Sequence, residues 1–207
     1  MKGFSDDKRQ YIRQGLLDSG REHFARYGLK KTTMVDLTRP VDIAPSTFYQ
    51  FFDSKEELYL EILEREGEEI AERVIAASLD AYDDPERAIA TFLREIMDVI
   101  ETNPLVRRII VEDELDQLRA QFSDGELAAE RERDVAYFLP YIEQWHDEGR
   151  IVGADPETAA HAIRAVTFLT LHEEDIGEDI YPVVRDVLIE AVAAGLTTTG
   201  RDENELQ

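Results

Sequence analysis

The chain has no cysteine, which excludes a disulfide framework, a thiolate nucleophile and a cysteine-ligated zinc. No run approaches the roughly 18 apolar residues needed to span a bilayer, and the N-terminal MKGFSDDKRQ lacks the apolar stretch of a signal peptide. A soluble, cytoplasmic protein with no membrane contact is expected. Lysine is scarce: Lys2, Lys8, Lys30, Lys31 and Lys55 are the only five, all in the first 55 of 207 residues. Sustained strand alternation is missing, as are internal repeats and low-complexity linkers. There is no nucleophile elbow, phosphate loop or metallo-hydrolase motif, so no catalytic residue, metal or cofactor is expected.

Acid is what the chain has in abundance. The formal charge is −23, unevenly distributed. Residues 1–55 carry ten Lys+Arg against seven Asp+Glu, a net of +3, while residues 56–207 carry 13 against 39, a net of −26. Two modules follow, and only the first suits an anionic partner. The acidic surface reads either as ordinary solvation or as adaptation to molar salt, where a Debye length near 3 Å silences self-repulsion; we favour the second.

Helix signals run the length of the chain. A first helix is predicted from about Asp7 to Tyr27, with Ile12, Leu16, Leu17, Phe24 and Tyr27 at helical spacing and Gly28 as the stop. Thr33 and Asp36 form a variant capping box for a short second helix, which Pro40 ends early. Pro45 suits the first position of a third helix through Phe51 or Phe52. Ser54 and Glu57 make a full capping box for a long fourth helix, with Tyr59, Leu63, Gly67, Ile70 and Val74 as its stripe, to about Ala81. Asp84-Pro85-Glu86 and Asp155-Pro156-Glu157 are start signals, for helices ending at Asn103-Pro104 and near His172. A less regular helical piece covers Leu105 to Phe122, then a turn at Ser123-Asp124-Gly125 and a helix from about Glu126 to Glu148, with Gly149 past its end. The last helix covers about Ile180 to Ala194, before a frayed tail.

Three short helices before residue 53, with a tight turn between the second and third, have the plan of a helix-turn-helix unit. The stretch YGLKKTTMVDLTRPVDIAPSTFYQFFDSKEELYLEIL then resembles the DNA-binding region of the TetR family of transcription regulators. The matching positions are Tyr27-Gly28, Thr32-Thr33, and the series Thr47, Tyr49, Phe52, Ser54, Lys55, Glu56 and Leu58. The resemblance is detailed over about residues 8–63. Beyond that, helix lengths and the segment EGRIVGADPETAAHAI are similar. The chain departs from the pattern at Asp42, Ala44 and Ser46, and with Pro40 these bear on the geometry of the turn.

The residues support DNA binding in their own chemistry. A helix N-terminus attracts phosphate, Thr47 and Tyr49 offer neutral hydroxyl donors, and Lys55 sits in the first turn of the next helix. Gln50 can read an adenine edge, while Pro45 and Ser46 lie at the tip that enters the major groove. Arg39 can reach phosphate or a base, and Thr33 at the entry to helix two completes the set. Tyr49 could instead be a core aromatic, but Phe48, Phe51 and Phe52 already suffice for a small three-helix core. Gln50 could be uncommitted, and Lys30 and Lys31 a solvated pair. Affinity built on Lys and Arg falls with about the 0.9 power of salt per phosphate, so four such contacts would lose about 3.6 decades between 0.2 M and 2 M. Hydroxyls and helix dipoles suit a molar-salt binder better.

In the acidic part, Glu157–His172 and the last helix are apolar on nearly every face, which demands burial on both sides. A homodimer is inferred through a four-helix interface, with Ile163, Val166, Val184, Val187, Leu188 and Ala191 in it, and hence a palindromic operator on double-stranded DNA. Tyr137, Tyr141 and Trp145 form an i, i+4, i+8 stripe with Pro140 inside it as a kink. Phe92, Ile96, Met97, Phe122, Tyr141, Trp145 and Phe168 are candidates for an effector pocket, although for any single aromatic ordinary core is the favoured reading. The resemblance implies a ligand that shifts the spacing of two DNA heads; a small, mainly apolar molecule fits these residues. His172-Glu173-Glu174-Asp175 reads as surface in so carboxylate-rich a chain rather than as a metal site.

The expected molecule is all-α: a helix-turn-helix unit in residues 1–53 and a larger effector-binding and dimerisation domain in residues 54–207. Its expected function is sequence-specific transcriptional regulation, as a repressor released by an effector, in an acidic, salt-adapted, haloarchaeal type of the family. The alternative is a helical small-molecule sensor or enzyme whose helix-turn-helix no longer binds DNA.

Overall fold

A computed structural model describes residues 5–110 and 135–197, and these residues are helical with no strand. They fall into two units, drawn from Met1–Glu69 with Thr102–Gln121 and from Ile70–Glu101 with Phe122–Gln207. The predicted turn at residues 123–125, the start of the helix after it and the tail lie outside the described residues. No described helix is long and apolar enough to cross a membrane.

The first unit is built on α1 (Asp6–Lys31), which Ser5 caps by accepting a hydrogen bond from the Lys8 amide at 3.4 Å. Its register buries Ile12, Leu16, Leu17 and Phe24. Gly28 breaks the helical angles at φ 75°, as a stop glycine should, but one further turn, Leu29–Lys31, follows the break. The next helices are α2 (Met34–Thr38) and α3 (Pro45–Phe48). Then comes α4 (Lys55–Ala77), which contributes Leu58, Tyr59 and Ile62 to the same core, with the Tyr59 ring 4.6 Å from that of Phe24. The buried stripe of α4 is Tyr59, Ile62, Glu66, Ile70 and Val74. Gly67 is exposed and Leu63 half-buried, so the predicted stripe lay one residue off in its middle.

Glu66 is a buried carboxylate, and three donors satisfy it. Arg21 grips it with two bonds, of 2.7 and 3.0 Å, and Asn103 donates to it at 2.6 Å. Asn103 also accepts from the amides of Leu105 and Val106, opening α6 (Pro104–Ile110). Arg108 on α6 donates to the carbonyls of Ala25 and Arg26, both at 3.0 Å, and so ties α6 to the end of α1.

In the second unit α5 (Pro85–Thr102) starts where Asp84 accepts from the Arg87 amide at 3.1 Å. Pro140 splits the predicted long helix: the chain turns at Tyr137-Phe138 and restarts as α7 (Leu139–Asp147), with Gly149 at φ 71° beyond it. Asp155 caps α8 (Pro156–Val166) through the Thr158 amide at 3.0 Å. The helix predicted to reach His172 tightens to 3-10 geometry over Thr167–His172. The cause is local: Thr167 and Thr170 hydroxyls each bond the carbonyl three residues back at 2.7 Å, favouring the tighter turn. A short α9 (Glu173–Ile176) precedes α10 (Tyr181–Thr197).

Candidate nucleic-acid interface

Thr33 opens α2 through a reciprocal capping box. Its hydroxyl accepts from the Asp36 amide at 3.3 Å, while Asp36 accepts from the Thr33 amide at 2.9 Å and the Thr33 hydroxyl at 2.6 Å. These donors, the side-chain one foremost, hold the Asp36 carboxyl below its ordinary range. Thr33 is exposed, but its hydroxyl proton is already committed to Asp36.

The turn between α2 and α3 is where the chain departs from the TetR pattern. Pro40 cannot continue α2, so Arg39–Val41 form a 3-10 turn instead. Asp42 then takes the left-handed conformation at φ 53° and ψ 47°. Aspartate tolerates this region better than most side chains, which is how a non-glycine residue holds the turn. Backbone bonds from Asp42 to Arg39 (3.2 Å) and from Ile43 to Thr38 (3.3 Å) fix the bend. Ala44 precedes α3 in extended conformation, and no side chain caps the helix there.

Pro45, Ser46 and Gln50 are exposed, and Thr47 is half-buried. Phe48 and Phe52 are buried with rings 5.7 Å apart, and they anchor α3 from beneath. Tyr49 stands edge-on to Phe48 with 58% of its surface exposed, so its hydroxyl points outward and is not part of the core. Arg39, Lys30 and Lys31 are exposed.

Lys55 differs from this pattern. Its ammonium donates to the carbonyls of Leu29 at 2.7 Å and Thr32 at 3.2 Å, at the joint between α1 and α2. Ser54 accepts from the Glu57 amide at 3.0 Å as expected, but the Glu57 carboxylate accepts from Asp53 rather than closing the box on Ser54.

Arg9 was not legible in the sequence. It donates to the Gln50 carbonyl at 3.1 Å with its guanidinium 5.1 Å from the Phe51 ring centre, and so holds the end of the α3 segment to α1. Arg13 pairs with Glu61 across 48 residues, at 2.7 Å for one of its two bonds. No local spacing signals either contact.

Within the second unit Phe92, Met97 and Trp145 are buried, Phe92 against Phe138 at 4.9 Å. Ile96 and Tyr141 are half-buried, and the Tyr141 hydroxyl donates to Asp80 at 2.6 Å. Phe168 is exposed, and Phe122 lies outside the described residues. Ile163 and Val166 are already covered within the chain. Val184 and Leu188 are half-buried, while Val187 and Ala191 are exposed. His172 and Asp175 meet at 3.1 Å on the surface.

An N-terminal three-helix unit with an outward-facing α3 defines the class: a helix-turn-helix DNA-binding protein. Residues 16–62 match the family model of bacterial regulatory proteins of the tetR family. The chain is 29% identical over 150 residues to an uncharacterized HTH-type transcriptional regulator, YhgD, of Bacillus subtilis (strain 168), covering 70% of this chain and 74% of that one. The fold is that of a TetR-family transcriptional regulator from Pectobacterium atrosepticum (TM-score 0.74, 21% identity, 96% of this chain and 100% of that one). It is also that of RolR in complex with resorcinol (TM-score 0.61, 17% identity, 94% and 92%). The protein is a DNA-binding transcriptional regulator, similar to the tetR family over residues 16–62 and in its fold.

Proposed function

We propose that this regulator is a homodimeric repressor that binds a palindromic operator and is released by a small, mainly apolar effector. The observation that carries the reading is the outward face of α3 and the two residues after it, where Pro45, Ser46, Tyr49 and Gln50 stand exposed above the buried Phe48 and Phe52. Ser46, Thr47 and Tyr49 position the backbone of the duplex, Gln50 reads a base edge, and Arg39 adds a cationic contact. Residues 1–53 act as the DNA-binding domain and residues 54–207 as the effector-binding and dimerisation domain.

Dimerisation is supported by exposed apolar side chains in and between the last helices: Phe168, Leu171, Ile180, Val183 and Val187, the last two 62% and 64% exposed. Patches of this kind mark association surfaces. A two-fold dimer carries two recognition helices and so matches an inverted repeat. Phe92, Ile96, Met97, Tyr141 and Trp145 supply an apolar wall with polar handles for the effector. RolR, of the same fold, was crystallised with resorcinol, a ligand small enough for such a wall. The charge of −23 supports a salt-adapted, haloarchaeal type.

Purified protein would be used to select genomic fragments at molar KCl and again at about a tenth of that concentration. Recovery of a palindrome is expected. Failure to enrich any fragment at either salt, from a folded dimer, would sink the reading.

A further inference from the structure

The geometry points to Lys55 as a positioning residue that clamps the two ends of the helix-turn-helix together, setting operator specificity without touching phosphate. This inference rests on the DNA-binding reading above and concerns how that site is held.

Lys55 is the first residue of α4, immediately after the chain leaves the α3 segment. Its two acceptors, Leu29 and Thr32, lie just before Thr33, where the chain enters α2. The helix-turn-helix runs from residue 33 to residue 54, so one ammonium joins its entrance to its exit. Leu29 and Thr32 also belong to the irregular end of α1, where Gly28 has broken the helix and carbonyls need donors from elsewhere. A cation at a helix C-terminus meets that need and the local dipole together.

Two neighbouring bonds complete the frame. The Thr32 hydroxyl donates to the Gly28 carbonyl at 2.7 Å, fixing the strap on which Lys55 acts. At the other side Arg9 holds the Gln50 carbonyl at 3.1 Å. The α2–α3 pair is thus tied at its exit to both ends of α1, by Lys55 and by Arg9. The α3 helix itself is a single turn of four residues with no side-chain cap, so its direction depends on such outside ties.

A phosphate ligand and a clamp leave different signatures. Phosphate contacts carry no sequence information, so losing one weakens specific and non-specific binding alike and lowers the salt slope by about 0.9. Losing a clamp misdirects α3, so operator affinity falls while binding to unrelated DNA and the salt slope hold.

The experiment is fluorescence anisotropy of full-length wild type and Lys55→Met on the selected operator and on a scrambled duplex, over a KCl series. For Lys55→Met we expect roughly tenfold weaker operator binding, unchanged scrambled-duplex binding, and a slope change below about 0.3. A slope reduced by about 0.9 with both duplexes weakened equally overturns the inference, and so does an unchanged operator affinity. A wild-type protein that does not prefer the operator at any salt overturns the DNA-binding reading instead, before the variant is used. Should Lys55→Met not fold, ammonium-detected NMR of the wild type decides. The clamp predicts a Lys55 Nζ signal protected from water and unmoved by operator; a signal that shifts on adding DNA overturns it.

Discussion

The two units use their cations differently. In the first, Arg9, Lys55 and Arg108 donate to backbone carbonyls, while Arg13 and Arg21 pair with carboxylates. In the second, Arg94 pairs with Glu190 and Arg185 with Asp98 and Glu101, the latter two at 2.8 Å, while Arg150 combines a carboxylate, Glu148, with a carbonyl, that of Asp83. A cation held by a carbonyl is fixed in place yet keeps its full charge. One held by a carboxylate is cancelled. Some cations are thus cancelled in both units, but Arg9, Lys55 and Arg108 in the first are fixed by carbonyls and keep their charge.

That contrast can be tested from its strongest point downward. Replacing Phe24 by alanine empties the centre of the first unit, where its ring lies fully buried against Tyr59. We expect a loss of about 3–5 kcal/mol in urea unfolding, with DNA binding gone. Glu66→Gln leaves Arg21 and Asn103 facing a neutral amide. Because Arg21 is more than half exposed, the expected cost is about 1–3 kcal/mol, and a double-mutant cycle with Arg21→Met should return most of it as coupling. Tyr49→Ala should leave the melting temperature unchanged while operator affinity drops roughly tenfold, about 1.4 kcal/mol; equal loss of both would place the ring in the core. In the acidic unit, Arg94→Met breaks a pair open to solvent on both sides, so its effect on stability should be under about 1 kcal/mol and vanish in molar salt.

The smallest effect is acid sensitivity. The Asp36 carboxyl is depressed by its bonds to Thr33, so the folded state binds its proton less readily than the unfolded chain. Its contribution is complete above the ordinary aspartate value and is lost as pH falls through the depressed one. Wild type and Asp36→Asn should therefore begin to converge in stability as pH falls below about 4 and meet only below the depressed value, measured by thermal melts.

Short-range features were legible in the sequence. The caps at Thr33, Asp84 and Asp155, the stops at Gly28 and Gly149 and the early end of α2 at Pro40 involve residues within four positions of one another. Hydroxyl-to-carbonyl competition at Thr167 and Thr170 is just as local, but a long apolar run masks it. The buried Glu66 was missed because polarity alone places a glutamate outside. Its partners are 45 and 37 residues away, and only the folded chain brings them together. The two carbonyl bonds of Lys55 were illegible for the same reason, since no spacing rule links it to residues 26 and 23 positions earlier. The exposure of Tyr49 was legible because Phe48 and Phe52 already fill the core beneath it, although Phe51, expected beside them, is only half-buried.

Gly15 has a consequence for inheritance. A methyl group placed there would come within 2.7 Å of Val41, in the bend that carries Pro40 and leads to Asp42. Because valine branches next to the backbone, it has little freedom to yield. A single-nucleotide change in the codon for residue 15 would thus lift the bend and re-aim the helix beyond it. Genetic screens for altered operator preference should recover such alleles in the middle of α1, at a position that no footprint of the bound duplex would mark.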